Sequence, residues 1–332
     1  HGTKLVLIEG LPGSGKSTLA QFLAWCLEAT VADVRWWYEE ELAHPVYVFH
    51  DRQSLQATVA SLNAGDHAAV ISAALTRWRQ FADMVASAPG VVLIDSCLFG
   101  YLTWSLFPLD VPEQEIAAYV SDVVRIISVA NPCVIYLYQD DVAASLRRIC
   151  DRRGPATEQR LMEQSTQSRY GRRRRLLGFD GMVEYWCAYR RLTDSLFGTI
   201  RFPCIALETT AGDWSSYEQS ALDFLGIPRR DVPSPDRARL SAFTGDYEYL
   251  AGSEARTASV VRSERGLILR GMPEVWQDTP LRPRAVDRFA IESVPFELAF
   301  ERDADGNVAR MRVSGPELLG GALPRLLVRR PT

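Results

Sequence analysis

Lysine is almost missing from this chain. Of 37 Lys and Arg residues, only Lys4 and Lys16 are lysine, and every other basic position is arginine. Histidine ends at His67, which excludes a Ser-His-Asp hydrolytic site from the C-terminal part of the chain. The six cysteines (Cys26, Cys97, Cys133, Cys150, Cys187, Cys204) are scattered and form no C-x-x-C pair, so the expectation is buried free thiols in a reducing cytosol. No apolar run reaches the roughly 18 residues of a membrane-spanning helix, and the N-terminus leads straight into a strand. Neither a membrane anchor nor a signal peptide is expected, and the expected location is cytoplasmic. Excess basic charge is missing too. A net charge of −4 and a pI near 5.7 argue against a general binder of nucleic acid or anionic membranes.

What is present begins at Lys4–Thr18, KLVLIEGLPGSGKST. With 332 residues, 47% of them hydrophobic, the chain has material for about two domains, and this stretch organises the first. Leu5-Val6-Leu7-Ile8 suits a buried parallel strand. Gly10-Leu11-Pro12-Gly13-Ser14-Gly15-Lys16-Ser17 then satisfies G-x-x-x-x-G-K-[ST], and the apolar residues from Thr18 to Leu27 recur at helical spacing, the context the motif requires. Gly10, Gly13 and Gly15 let backbone N–H groups turn inward, and the positive end of the following helix points at the same spot. Gly10, Pro12, Gly13, Ser14, Gly15, Lys16, Ser17 and Thr18 are therefore expected to hold a polyphosphate. Lys16 reaches its β- and γ-phosphates, and the Ser17 hydroxyl is a Mg²⁺ ligand. A chain that writes nearly all its basic positions as arginine keeps lysine where a slim point charge is needed.

Two later strand ends carry acids. Val31–Tyr38 reads as a strand running into Glu39-Glu40-Glu41, and in a parallel α/β sheet the carboxyl ends of strands face the ligand crevice. Glu39, nearest the strand end, is the candidate base, against the alternative of a solvated acidic loop. Val91-Val92-Leu93-Ile94-Asp95 is an aliphatic strand ending in an acid about 80 residues after the P-loop. Asp95 is then expected to accept from a Mg²⁺-bound water or to sit beside the attacking hydroxyl. Helices are expected over 51–62 and 66–86, where Arg77 and Arg79 could meet an anionic acceptor, and over 112–130. His44 before Pro45 is open between an acceptor-pocket wall and a plain loop residue.

A fourth strand, Cys133–Tyr138, precedes a helix from Val142 that carries Arg147, Arg148, Arg152 and Arg153 and ends at Gly154-Pro155. The most basic segment follows, Arg169-Tyr170-Gly171-Arg172-Arg173-Arg174-Arg175. In an acidic P-loop protein, a mobile lid closing arginines over the transferring phosphoryl group accounts for it better than a solvated face or a nucleic-acid patch. A helix over 182–197, a fifth strand over 202–208, a turn at 209–214 beside the P-loop and a helix over 217–225 complete the set.

Taken in order, these elements resemble the adenylate-kinase-like branch of P-loop kinases, which includes antibiotic phosphotransferases of the chloramphenicol phosphotransferase type. The resemblance rests on GLPGSGKST at 10–18, LIDS at 93–96 and RRICDRRG at 147–154 followed by the arginine run, and it covers about residues 3–228. It implies a five-stranded parallel sheet flanked by helices, ATP and Mg²⁺ as cofactors, Arg148 stacked near the adenine and Arg152 touching phosphates at the base of a lid spanning about 152–178. The D-G-[FY]-P-R acceptor pattern of nucleoside monophosphate kinases is missing, which favours a small molecule bearing a hydroxyl as acceptor.

After a Pro-rich charged linker at 229–240 the pattern changes to short alternating strands, among them 247–250, 258–262, 267–270, 275–276, 288–291, 296–301 and 309–314. The expectation is a small antiparallel β-barrel-like domain over 241–332, weakly similar to β-domains appended to some serine hydrolases, for packing, homodimerisation or covering of the acceptor site. The whole reads as an ATP-dependent small-molecule kinase with Lys16, Glu39, Asp95 and Arg152 as catalytic candidates. The competing class is a regulatory NTPase whose β-domain binds a protein partner.

Overall fold

The structure is a computed structural model that describes every residue except His1, Val232, 234–236, Gly252, 274–277, Ala322 and 331–332. The chain divides into two compact units, His1–Arg229 and Arg230–Thr332.

The first unit runs β1 (Leu5–Gly10), α1 (Lys16–Leu27), β2 (Val34–Trp37), α2 (Arg52–Ala64), α3 (His67–Ser87), β3 (Val91–Asp95), α4 (Tyr101–Leu106), α5 (Glu113–Ile127), β4 (Pro132–Tyr138), α6 (Val142–Arg153), α7 (Pro155–Thr166), α8 (Arg169–Arg174), α9 (Gly178–Gly198), β5 (Cys204–Glu208) and α10 (Trp214–Leu225). The five strands form a parallel sheet in the order β2-β3-β1-β4-β5. Such a sheet is covered on both faces, which is why β1, β3 and β4 are unbroken aliphatic runs with Leu5, Leu7, Ile8, Leu93, Ile94, Val134 and Ile135 fully buried. β2, β3 and β1 are parallel neighbours, so their carboxyl ends lie side by side at one edge of the sheet, the edge at which such sheets bind ligands. Ile8 is opposite Asp95 and Gly10 opposite Leu137, which places the P-loop between the ends of β3 and β4.

The helices follow local chemistry. Asp51 and Ser54 form a reciprocal capping box at the start of α2, and Gly65 ends it in the left-handed region at φ 90°. Lys4 hydrogen-bonds the carbonyls of Ala86 and Ala88 at 2.6 and 2.8 Å, so one of the two lysines ties β1 to the end of α3. No described helix is long and apolar enough to cross a membrane.

The second unit contains a closed antiparallel barrel of eight strands: β6 (Gly245–Ala251), β7 (Glu254–Ser263), β8 (Gly266–Arg270), β9 (Thr279–Ala285), β10 (Arg288–Ile291), β11 (Glu297–Arg302), β12 (Val308–Ser314) and β13 (Leu326–Arg329). Its interior is packed with side chains, among them Tyr247, Leu269, Phe289, Leu298, Met311 and Leu327, flanked by Phe243. The fold class expected from the sequence is the one observed, and two of the eight strands, β9 and β13, are ones that the pattern did not mark. β9 reads TPLRPRA, and its prolines, which cannot donate to a ladder, hide a strand that pairs with both neighbours. β13 is only LLVR between two proline-containing segments. The strand expected at Val275-Trp276 lies outside the described residues, as do Val232 and 234–236 of the expected linker. In the first unit the second strand is shorter than expected, Val34–Trp37, and Pro155–Thr166, where no element was expected, is helical because proline suits a first helical position.

Candidate active site

The P-loop runs from the end of β1 to the first turn of α1. Gly10, Gly13 and Gly15 have φ of 149°, 77° and 92°, a region side chains rarely enter. Space makes the same demand. A Cβ on Gly13 would lie 2.2 Å from Ile149 Cδ1 of α6, and one on Gly15 would lie 1.8 Å from the Trp214 ring at the start of α10. Gly15→Ala is therefore expected to displace Trp214 and cost about 1–3 kcal/mol through strain and overpacking. A thermal midpoint equal to that of the parent would show that the ring gives way freely.

Lys16 is the first residue of α1 and is buried, with Nζ donating to the Leu11 carbonyl at 3.2 Å. Thr209, from the loop after β5, donates its hydroxyl to the Ser14 carbonyl at 3.2 Å. The turn expected beside the P-loop is thus joined to it. The Ser14 hydroxyl is buried and has no hydrogen-bond partner among the described residues.

Asp95 ends β3 and is fully buried. Its Oδ1 accepts from the Glu39 backbone N–H at 3.0 Å and from Trp36 Nε1 at 3.4 Å, while its Oδ2 has no hydrogen-bond partner among the described residues. Burial raises its pKa well above the ordinary aspartate value, and the negative charge of Glu39 raises it further; the Ser17 hydroxyl and the Lys16 charge pull it back. Those causes place Ser17, Lys16, Glu39 and Asp95 within electrostatic reach of one another. The structure brings together the P-loop and both acidic strand ends.

The loop after β2 is held by aromatic residues. The Tyr47 hydroxyl donates to the Glu39 carbonyl, its ring lies 4.3 Å from Tyr101 and 4.6 Å from His44, and the Tyr101 hydroxyl accepts from Val48 N–H at 3.0 Å. His44 is neither pocket wall nor plain loop residue. It is fully buried, its Nδ1 accepts from Val46 N–H at 3.4 Å, and its Nε2 is 3.4 Å from Cys97 Sγ. Burial lowers its pKa to about 3, so it is a neutral structural link. Arg77 donates to the Tyr47 carbonyl at 3.0 Å and supports the same loop. Glu41 is buried against Arg35 at 2.6 Å.

Among the arginines, α6 places Arg148 and Arg152 on exposed surface. Arg148 donates to the Ser145 hydroxyl at 3.3 Å and is felt by Glu208 at the end of β5, beside the P-loop contact of Thr209. Arg153 is the more buried neighbour of Arg152. Burial lowers its pKa, and the charges of Glu39, Glu40 and Tyr38 oppose that shift, which places Arg153 close to the acidic end of β2. The run at 169–175 is tied down in this structure: Arg173 and Arg174 both reach Asp110 at 2.7 Å, Arg174 covers the Tyr170 ring at 3.5 Å, and Arg169 donates to the Asn63 carbonyl at 2.5 Å.

Glu9 and Arg153 were not singled out by the sequence reading. Glu9 carried a signal, a lone acid inside a strand otherwise aliphatic and buried. Arg153 carried none, because adjacent arginines differ only in which face of α6 they occupy.

No known protein family profile matches this chain, and no curated protein sequence does. Among solved structures, it is similar to thymidylate kinase from Ehrlichia chaffeensis (11% identity over 68% of this chain and 100% of the other, TM-score 0.39). It is also similar to the YorR protein of Bacillus subtilis, solved with phosphorylated GDP (17%, 67% and 95%, TM-score 0.33), and to a sugar kinase from Janibacter sp. (15%, 68% and 96%, TM-score 0.35). Likenesses at this level carry no statement about chemistry, which rests on the site itself.

Proposed function

We propose that this protein is an ATP-dependent phosphotransferase that moves the γ-phosphoryl group to a hydroxyl of a small molecule. The observation that supports it most is the meeting of Glu39 and Asp95 at the mouth of the P-loop, with Asp95 Oδ2 buried and unpartnered. A phosphate cradle alone fits any nucleotide binder, but a paired acid beside it is what acceptor activation needs.

The residues fit ATP and Mg²⁺. Gly10, Gly13 and Gly15 hold the backbone at φ angles that side chains rarely adopt, and the buried Ser14 hydroxyl and Asp95 Oδ2, without a hydrogen-bond partner among the described residues, are the kind of donor and acceptor that phosphate oxygens and a cation would satisfy. Gly10, Pro12, Gly13, Ser14, Gly15, Lys16, Ser17 and Thr18 would hold the phosphates, Arg148 would cover the base, and Ser17 and Asp95 would hold Mg²⁺. Bound Mg²⁺ neutralises charge on the phosphates. Glu39, less buried than Asp95, would take the proton from the acceptor hydroxyl, while Asp95 receives the Glu39 backbone N–H and so sets the distance between the two acids. Arg152, on the segment 152–178 read as a lid, would close over the phosphates, with Arg153 balancing the acids beneath. Phosphoryl transfer asks chiefly for such positioning and charge stabilisation.

The deciding experiment is acceptor dependence. Incubation with ATP, Mg²⁺ and panels of hydroxyl-bearing metabolites should yield one product heavier by one phosphate, read by mass spectrometry. ATP turnover indifferent to every acceptor but altered by a protein partner would overturn the reading in favour of a regulatory NTPase. Glu39→Gln is expected to lower kcat by about 10² or more with little change in nucleotide affinity. An unchanged kcat would move the base to Asp95.

A further inference from the structure

Glu9 is the next-to-last residue of β1, fully buried, and followed directly by the first glycine of the P-loop. Its carboxylate is taken up by the turn after β3. Oε1 accepts the backbone N–H groups of Cys97 at 3.1 Å and Leu98 at 2.8 Å, and Oε2 accepts that of Phe99 at 3.0 Å. Three consecutive amides wrapped around one carboxylate form an anion nest, here filled by the protein's own side chain. Those amides belong to the turn that immediately follows Asp95. The turn is tight, with Ser96 at φ 59° and Gly100 packed so closely that a Cβ would lie 1.8 Å from the Ser96 carbonyl oxygen. It is closed from other sides by Cys97 Sγ donating to the Asp95 carbonyl at 3.3 Å, and by the Tyr189 hydroxyl donating to the Phe99 carbonyl.

We propose that Glu9 is a positioning residue that fixes Asp95 relative to the phosphate cradle, so that one residue pair, Glu9-Gly10, sets both halves of the cation-binding geometry. This rests on the donor-site reading above. A buried carboxylate with no cationic hydrogen-bond partner among the described residues is an expensive way to close a turn, and burial pushes its pKa up to about 7 even with three amides and the nearby Lys16 charge opposing the shift. A neutral side chain would close the turn with less desolvation. It would not grip three amides at once, and a misplacement of about 1 Å at a reacting centre is enough to cost roughly 10²-fold.

The test measures affinity for a non-hydrolysable ATP analogue with and without Mg²⁺, on full-length protein. Parent protein should bind more tightly with Mg²⁺. Glu9→Gln, which can still accept from Cys97 and Leu98 but opposes an N–H to the Phe99 amide, should keep its metal-free affinity and lose about 10-fold or more of the Mg²⁺-dependent gain. Glu9→Ala should lose more. Combined with Asp95→Asn, either variant should add nothing further, because both remove the same geometry. Full retention of the Mg²⁺ gain in Glu9→Gln, or additive losses in the double variant, overturns the proposal. Should Glu9→Ala not fold, Glu9→Gln alone decides. Parent protein that binds no nucleotide overturns the donor-site reading itself, a result distinct from one confined to the Glu9 variants.

Discussion

Lys16→Ala is expected to reduce phosphoryl transfer by about 10³-fold or more while leaving a folded protein, because a preorganised cation facing the charge that develops in the transition state is among the largest single contributions a site can make. The fold should tolerate the change for reasons visible in the loop. The Leu11 carbonyl that receives Nζ also receives the Ser14 N–H at 3.2 Å, so truncation orphans no backbone acceptor. Lys16 also stands at the first position of α1, where alanine is a good helix former. One electrostatic consequence is expected as well. The Lys16 charge lowers the pKa of both Glu9 and Asp95, so its loss moves each further up and both carboxyls keep their protons to higher pH. Near-identical circular dichroism and melting with activity below about 0.1% of the parent is the expected pair of results. Retention of most activity would refute the role assigned to Lys16.

The legible parts of the site were those where chemistry and local backbone coincide. The P-loop needs its glycines and its lysine in one contiguous stretch, so Gly10–Thr18 could be read directly, and Asp95 followed because a buried aliphatic strand ending in an acid has few other meanings beside such a loop. The parts that stayed hidden depend on contacts far apart in the chain. Glu9 and the Cys97–Phe99 amides are separated by almost ninety residues. Their joining is a property of the β1–β3 pairing, and no local spacing encodes it. The same holds for His44 and Cys97, which meet only because the loop after β2 folds over the end of β3. The arginine run shows the limit of composition. Its charge suggested phosphate, yet Arg173 and Arg174 share the carboxylate of Asp110, a residue in the turn after α4 that nothing in the run could announce. In the barrel, alternation exposed the strands with β-branched and aromatic residues and missed Thr279–Ala285, whose prolines break the pattern without breaking the barrel.

Asp95→Asn should make the nucleotide-free protein more stable at alkaline pH while removing Mg²⁺-dependent function. The sign follows from linkage. Burial and the neighbouring Glu39 hold the folded-state pKa of Asp95 above its unfolded value, so between those two values the folded protein keeps a proton that the unfolded chain has released. Stability associated with this carboxyl is complete at acid pH, below the unfolded value of 3.8, and is lost as pH rises through the folded value. Asparagine does not titrate. Its side-chain carbonyl can take the Glu39 N–H and Trp36 Nε1 in place of Oδ1, and its amide group occupies the position of the unpartnered Oδ2. The variant should therefore melt near the parent at about pH 4 and above it at about pH 9, by about 0.5–2 kcal/mol, the usual range when a strained functional site is relieved. With the carboxylate gone, kcat should fall by about 10² or more. A melting difference independent of pH would show that Asp95 does not carry the buried charge. Stabilisation at high pH together with unchanged turnover would show that its charge is structural, leaving Glu39 as the acid on which transfer depends.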